Sequence, residues 1–405
     1  MKNKKTFFLF VLTLFFFFGM SAVKAATETG SRTFTFVNQC AYPVSFNFAG
    51  GSAENPKTKS VFCQTNNDCV TGSSCASVAP DRKICFWTNP TPADHRYELK
   101  TNESNRVIIP AYDNGTDTIW SGAVAGQTNC QNGVCETADC ERNPNGNGAC
   151  APGHGFAQPA TQAEFTLSRA TDFYDVEVIN GINIPMSMAP TNPAPETGNP
   201  YNCGSPGASS HPFTKTGVCS WDLTPPSDDY VWVRGGGALC TTSSNCPASE
   251  KCGLSFNPGH QPLLQKTCGV PLGFFTADEV CGIDSTFGAP FNCATRLPNS
   301  PTHTLTQLYM CAPIASCYQS PAQSDCCGCA NWWQKGLDVP QSTKQCVSFN
   351  PYWEQWVEPG LEWIKRACPT AYVYPYDDMS STFTCSEKDA SQVNATAYTI
   401  TFCPK

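Results

Sequence analysis

Cysteine is the residue whose number and spacing carry the most chemistry in this chain. The sequence has 26 cysteines in 405 residues. Thiols at that density either hold a soft metal or oxidise to disulfides. Zinc would need imidazole at ligand spacing. The five histidines, His95, His154, His211, His260 and His303, are scattered among loop-like segments, none at such a spacing from cysteine. The even count favours a disulfide framework of an exported protein. Each bond is worth about 2–4 kcal/mol by chain-entropy reasoning, so the fold need not rest on one large core. No serine or cysteine sits in a nucleophile-elbow pattern, and no glycine-rich phosphate loop follows a strand.

Eight cysteines form a repeat. Cys63, Cys69, Cys75 and Cys85 are spaced C-x5-C-x5-C-x9-C, and Cys240, Cys246, Cys252 and Cys268 are spaced C-x5-C-x5-C-x15-C. The flanks agree as well, Thr65-Asn66-Asn67-Asp68-Cys69 against Thr242-Ser243-Ser244-Asn245-Cys246. Each segment reads as a small knot with two internal disulfides. Spacing alone leaves three pairings of four cysteines open. The working expectation is first-to-third and second-to-fourth: Cys63–Cys75 with Cys69–Cys85, and Cys240–Cys252 with Cys246–Cys268. Such knots either staple long loops and bind nothing, or present a rigid, exposed surface for docking a partner or ligand.

The amino terminus supports export. Lys2, Lys4 and Lys5 precede an apolar run from Phe7 to Met20, and Val23-Lys24-Ala25 offers a small-residue cleavage site. That layout is a signal peptide over residues 1–25, with an uncleaved anchor as the alternative. The run is 14 residues, short of the roughly 20 a membrane helix needs. Losing the leader's four lysines takes the net charge from −8 to −12. An acidic product without a basic stripe argues against nucleic acid and anionic membrane surfaces as partners.

Helical periodicity is scarce and strand alternation is common. Arg32 to Val37 and Val44 to Phe48 alternate, joined by a corner at Ala41-Tyr42-Pro43, which predicts a hairpin. Further strands are expected at Arg106 to Pro110, Ala163 to Leu167, Phe173 to Ile179 (closed by the Asn180-Gly181 turn), and Ala397 to Phe402. A helix is expected from Trp353 to Arg366, interrupted at Pro359-Gly360. Many short strands with turn signals suggest a sandwich or flattened barrel.

Several of these stretches carry a resemblance. Phe34 to Cys40, Thr161 to Leu167, Asp172 to Val176, Asn180 to Met186, Cys368 to Asp378, Ser381 to Cys385 and Tyr398 to Pro404 resemble, in order, signature segments of the thaumatin-like family. The resemblance implies a mainly β, thaumatin-like sandwich from 31 to 190 rejoined by 369–405, with the first knot inserted at about 61–86. It implies a disulfide-rich loop domain from 191 to 368, with the second knot at about 238–270. It further implies the disulfides Cys40–Cys403, Cys130–Cys135, Cys140–Cys150, Cys203–Cys385 and Cys219–Cys368, followed by Cys293–Cys311, Cys317–Cys326 and Cys327–Cys346. Cys281 and Cys329 are then left over, to pair together or with Cys329 replacing Cys346.

The resemblance also implies a site. Many members have an acidic cleft between the two parts, lined by an arginine and four carboxylates and associated with β-1,3-glucan. Glu164, Asp175 and Asp377 match three of those acids, Asn180 stands where an aspartate is usual, and Gln127 stands where the arginine is usual. Glu164, Asp175 and Asn180 have the acceptors that sugar hydroxyls need, while loss of the arginine removes a rigid donor fork. The expected function is extracellular polysaccharide binding of the β-1,3-glucan class, with a defence-like, antimicrobial role, no cofactor and a monomeric state. Hydrolysis is the catalytic alternative, with Glu164 as acid and Asp175 as base or nucleophile. It would need the two carboxyls about 5–5.5 Å apart for retention or about 6.5–9.5 Å for inversion. Glu177, two residues from Asp175 on the same strand face, is a second candidate partner. A protein-interaction or inhibitor module acting through the knots is the alternative of a different class. Of the aromatic clusters, Trp332-Trp333 and Tyr352-Trp353 with Trp356 are expected to pack internally rather than to stack on sugar. Asn102, Asn114 and Asn394 begin glycosylation sequons.

Overall fold

The computed structural model describes residues 29–112, 114–143, 148–191, 198–210, 217–257, 259, 261–300, 302–311, 324–340, 346–347 and 349–405. The expected leader therefore lies outside the described residues, as does Cys317. The strands are β1 (Arg32–Asn38), β2 (Val44–Gly50), β3 (Ser73–Ala79), β4 (Arg82–Trp87), β5 (Glu98–Leu99), β6 (Ser104–Ile109), β7 (Thr118–Gln127), β8 (Gln162–Ser168), β9 (Asp172–Glu177), β10 (Met186–Pro190), β11 (Val231–Val233), β12 (Lys251–Phe256), β13 (Leu264–Gly269), β14 (Pro271–Phe274), β15 (Phe383–Cys385) and β16 (Tyr398–Phe402). Among the described residues five short α-helices form: α1 (Ala277–Ile283), α2 (Leu305–Tyr309), α3 (Pro351–Trp356), α4 (Glu358–Ala367) and α5 (Asp378–Ser381). No helix among the described residues is long and apolar enough to cross a membrane.

Two sheets make the sandwich. One runs β10-β16-β1-β6 and the other β15-β9-β8-β7-β2-β5. Both are open at their edges, so the architecture is a sandwich and not a closed barrel. The predicted hairpin of β1 and β2 does not form. β1 pairs with β16 and β6, whereas β2 pairs with β7 and β5 in the opposite sheet. The alternation itself is present, but the apolar faces meet across the sandwich instead of side by side. Phe36 stacks on Phe46 at 4.0 Å and Phe34 on Phe165 at 4.6 Å between ring centres. Each such ring buried contributes about 1.5–3 kcal/mol, which outweighs the benefit of a local turn.

Nine of the expected disulfides are present, including Cys40–Cys403, which ties β1 to its parallel neighbour β16. Cys130–Cys135, Cys140–Cys150, Cys203–Cys385 and Cys219–Cys368 close as expected. Both knots pair first-to-third and second-to-fourth. Three corrections fall in the disulfide-rich part. Cys293 bonds Cys281 instead of Cys311, Cys311 bonds Cys327, and Cys346 bonds Cys329 instead of Cys327. Helix α1 presents buried Cys281 to Cys293 with a Cα–Cα distance of 5.4 Å. With Cys293 taken, Cys311 bonds Cys327 and Cys346 bonds Cys329. Among the described residues all cysteines are bonded. The sulfurs of Cys63, Cys69 and Cys85 lie within 4.8 Å of one another, and all are used in disulfides, which leaves no thiolate for zinc.

A second apolar cluster, built on Phe275, Trp332, Trp353, Ile364 and Tyr374, packs beside the sandwich. Pro359-Gly360 does not break a helix here. Pro359 lies in the first turn of α4, where its missing N–H has no intrahelical role, so the dipeptide starts a helix after α3 has ended. Trp332 and Trp353 are buried, but Trp333 is 67% exposed. Asn394 is fully buried, its side chain bonded to Cys385 O and Thr396, so it offers no accessible glycan acceptor in the folded chain.

Candidate active or binding cleft

β8 and β9 are adjacent antiparallel strands, and their register sets Glu164 directly opposite Asp175 and Gln162 opposite Glu177. The period of two sends Phe165, Tyr174 and Val176 into the sandwich core and leaves Glu164, Phe173, Asp175 and Glu177 on the other face. Directly opposed residues have Cβ atoms about 4.5–5.5 Å apart, so the two acids form a cross-strand pair.

That pair lies on the floor of a cleft of about 380 Å³. Ala49, Ser121 and Ala123 continue the floor, and small side chains there keep it open. Phe173, 50% exposed, flanks Asp175. The opposite wall is Phe86, from β4 of the first knot, with Gly153-His154-Gly155. Gly153 is required where it stands. It has φ +81°, and a Cβ would come within 2.8 Å of the Phe86 ring. Sequence reasoning missed Phe86 and His154, because nothing local says that the knot folds back over the sheet.

The acids lack counter-charges. Among the described residues no ion pair or hydrogen bond reaches Glu164 or Asp175, and Asp175 Oδ1 is buried without a partner. Burial pushes the Glu164 carboxyl above its ordinary value. Asp175 is pushed well above by burial first, then by Glu164, Glu177, Asp378 and Asp377. Glu177 is pushed up to about 8 by burial and by Glu164, against the opposing effect of its hydrogen bonds. Those bonds come from Gln162 Nε2 at 2.7 Å, Asn180 N at 2.9 Å and Asn180 Nδ2 at 3.1 Å. Opposed carboxyls of this kind titrate as a unit and retain a proton to higher pH than either would alone. A polar, partly protonated floor beside an aromatic ring can accept from and donate to hydroxyls.

Three other expected site residues are placed elsewhere. Asn180 turns its amide onto Glu177 and does not line the cleft. Gln127 is fully buried; it donates to Ala138 O and accepts from Asn47 Nδ2 and Arg142 Nη2, both at 3.1 Å. Asp377 is also fully buried, in an ion pair with Lys365 at 2.6 Å and a hydrogen bond from Trp332 Nε1 at 2.7 Å. An acid so satisfied is a structural group. Its neighbour Asp378 is half-buried, accepts from Tyr372 Oη at 3.1 Å and acts on Asp175 through its charge. The start of α5 turns Asp377, the acid expected in the cleft, onto Lys365 instead.

The chain is thus a mainly β sandwich with a disulfide-rich flank and an acidic cleft over β8 and β9. The model of the thaumatin family matches residues 85–404, and the chain belongs to that family. Thaumatin-like protein 1 of Prunus persica is 27% identical over 349 residues, covering 82% of this chain and 92% of its own. Pathogenesis-related thaumatin-like protein 3.5 of Cryptomeria japonica is 25% identical over 390 residues, 95% of both chains. A glucan endo-1,3-beta-glucosidase of Prunus avium is 24% identical over 328 residues, 78% of this chain and 85% of its own.

Proposed function

We propose that this is an exported protein that binds polysaccharide of the β-1,3-glucan class in the cleft over β8 and β9. The observation that carries the reading is the Glu164–Asp175 pair, opposed across two strands, without a cation, beside exposed Phe173. Hydroxyls of a neutral sugar chain would satisfy the unpartnered Asp175 oxygen without adding charge, and the ring would cover an apolar sugar face. The dense disulfide framework supports export, since such bonds persist in oxidising compartments. The glucanase name of the Prunus avium relative supports the choice of polymer.

The test is retention of the oxidised protein on insoluble β-1,3-glucan, cellulose and chitin, beside a Glu164→Gln/Asp175→Asn variant. Retention on β-1,3-glucan alone, lost in the variant, is expected. Equal retention by the folded variant would sink the reading. Hydrolysis is favoured by one further feature: burial raises both opposed carboxyls above their ordinary values, the direction a general acid needs. Reducing ends released from laminarin between pH 4 and 7, by wild type and not by the variant, would establish it.

A further inference from the structure

We propose that the first four-cysteine knot lengthens the cleft by an additional subsite for the sugar chain, in the hollow between the knot and the end of β7. This rests on the polysaccharide reading of the cleft. The hollow has a volume of about 230 Å³ and is lined by the polar Ser52, Glu54, Thr116, Thr118, Ser121 and Thr166 and the apolar Ala53, Val70 and Trp87. Ser121 and Thr166 also line the acidic cleft, and their hydroxyls bond each other at 2.8 Å where the two spaces meet. The two spaces adjoin at this pair. Thr166 is two residues from Glu164 along β8, about 7 Å, so the hollow meets units of a chain beyond those over the carboxylates.

The knot is built to stay there. Trp87 N donates to Gly51 O at 3.0 Å, Ala53 N to Cys85 O at 2.7 Å, and Gly50 N to Asn89 Oδ1 at 2.6 Å. A Cβ on Gly50 would lie 2.1 Å from Trp87 O, so only glycine allows this approach. Cys69–Cys85 and Cys63–Cys75 then hold the knot rigid. The polar part of the lining is hydroxyls and one carboxylate, with Glu54 already paired to Lys59 at 2.8 Å, and the rest is apolar. That suits a neutral, hydroxyl-rich chain and not an anionic one. The second knot has no such position. Its β12 and β13 join β11 and β14 in a separate sheet, so the same cysteine pattern lines the cleft in one copy only.

The experiment measures affinity for laminari-oligosaccharides of three and of seven units. It compares wild type, Ser52→Ala/Glu54→Gln, and Ser52→Trp, which fills the hollow, with folding checked by thermal melting. The proposal expects both variants to weaken the seven-unit ligand about tenfold, roughly 1.4 kcal/mol, and to leave the three-unit ligand unchanged. Equal weakening of both lengths, or of neither, would overturn it while the cleft reading stands. If folded wild type binds neither oligosaccharide, the cleft reading and this inference fail together. In Glu164→Gln/Asp175→Asn both lengths should be lost, which separates the floor from the hollow.

Discussion

Asp172 and Asp175 lie three residues apart on β9 and meet opposite fates. Odd spacing turns them to opposite faces of the sheet. Asp172 enters the sandwich core, where Arg32 holds it through Nε at 2.9 Å and Nη2 at 3.0 Å and Tyr398 Oη donates at 2.9 Å. Asp175 enters the cleft and meets only other acids. Asp377 with Lys365 repeats the first case inside the second apolar cluster, four oxygens surrounding the Lys365 ammonium. These buried acids therefore divide into Asp172 and Asp377, each compensated by a cation of the chain, and Asp175, which has none beside it.

The largest test of that division is to remove a compensating cation. Arg32→Met or Lys365→Met leaves a buried acid unpaired, and each should cost about 3–5 kcal/mol of stability in urea unfolding. A loss below about 1 kcal/mol would erase the distinction. The next effect is a pH dependence. Glu177 is raised from an ordinary value of 4.5 to about 8, so the folded state prefers the proton. Its contribution is fully present below about pH 4.5 and is lost as pH rises through about 8. Urea midpoints should fall across that window, and Glu177→Gln should flatten this part of the fall. A rise in midpoint with pH that Glu177→Gln abolishes would reverse the assignment.

Smaller still is the effect of amides in the cleft. Glu164→Gln/Asp175→Asn keeps shape and removes two uncompensated acids, so stability should change by less than about 1 kcal/mol or increase. A loss comparable to that of Arg32→Met would move the pair to the structural group. The smallest effect is expected at the surface. Lys59, 73% exposed, pairs with Glu54, and Lys59→Ala should cost about 0.5 kcal/mol or less. Here a cation next to an acid matters little, because water already solvates both.

Much was legible before any coordinates. The repeated cysteine spacings marked two knots, and the signature runs around Glu164 and Asp175 placed both acids on strands. The site was harder. Asp377 was expected in the cleft, and nothing near it in sequence shows that buried Lys365 claims it. Gln127 occupies a position associated with a ligand contact, yet it is enclosed by Asn47, Ala138 and Arg142. Phe86 and His154 carried no local sign of a role, because each reaches the cleft by packing between distant segments.

The sequence by itself determined which residues alternate, which cysteines cluster, and which short turns and caps form, since these depend on neighbours a few residues away. Tertiary structure alone decided that β1 and β2 separate into different sheets, that Cys281 takes Cys293, and that one knot lines the cleft while its repeat does not. Those outcomes depend on which apolar faces and which charges meet across long separations, and no local pattern encodes that.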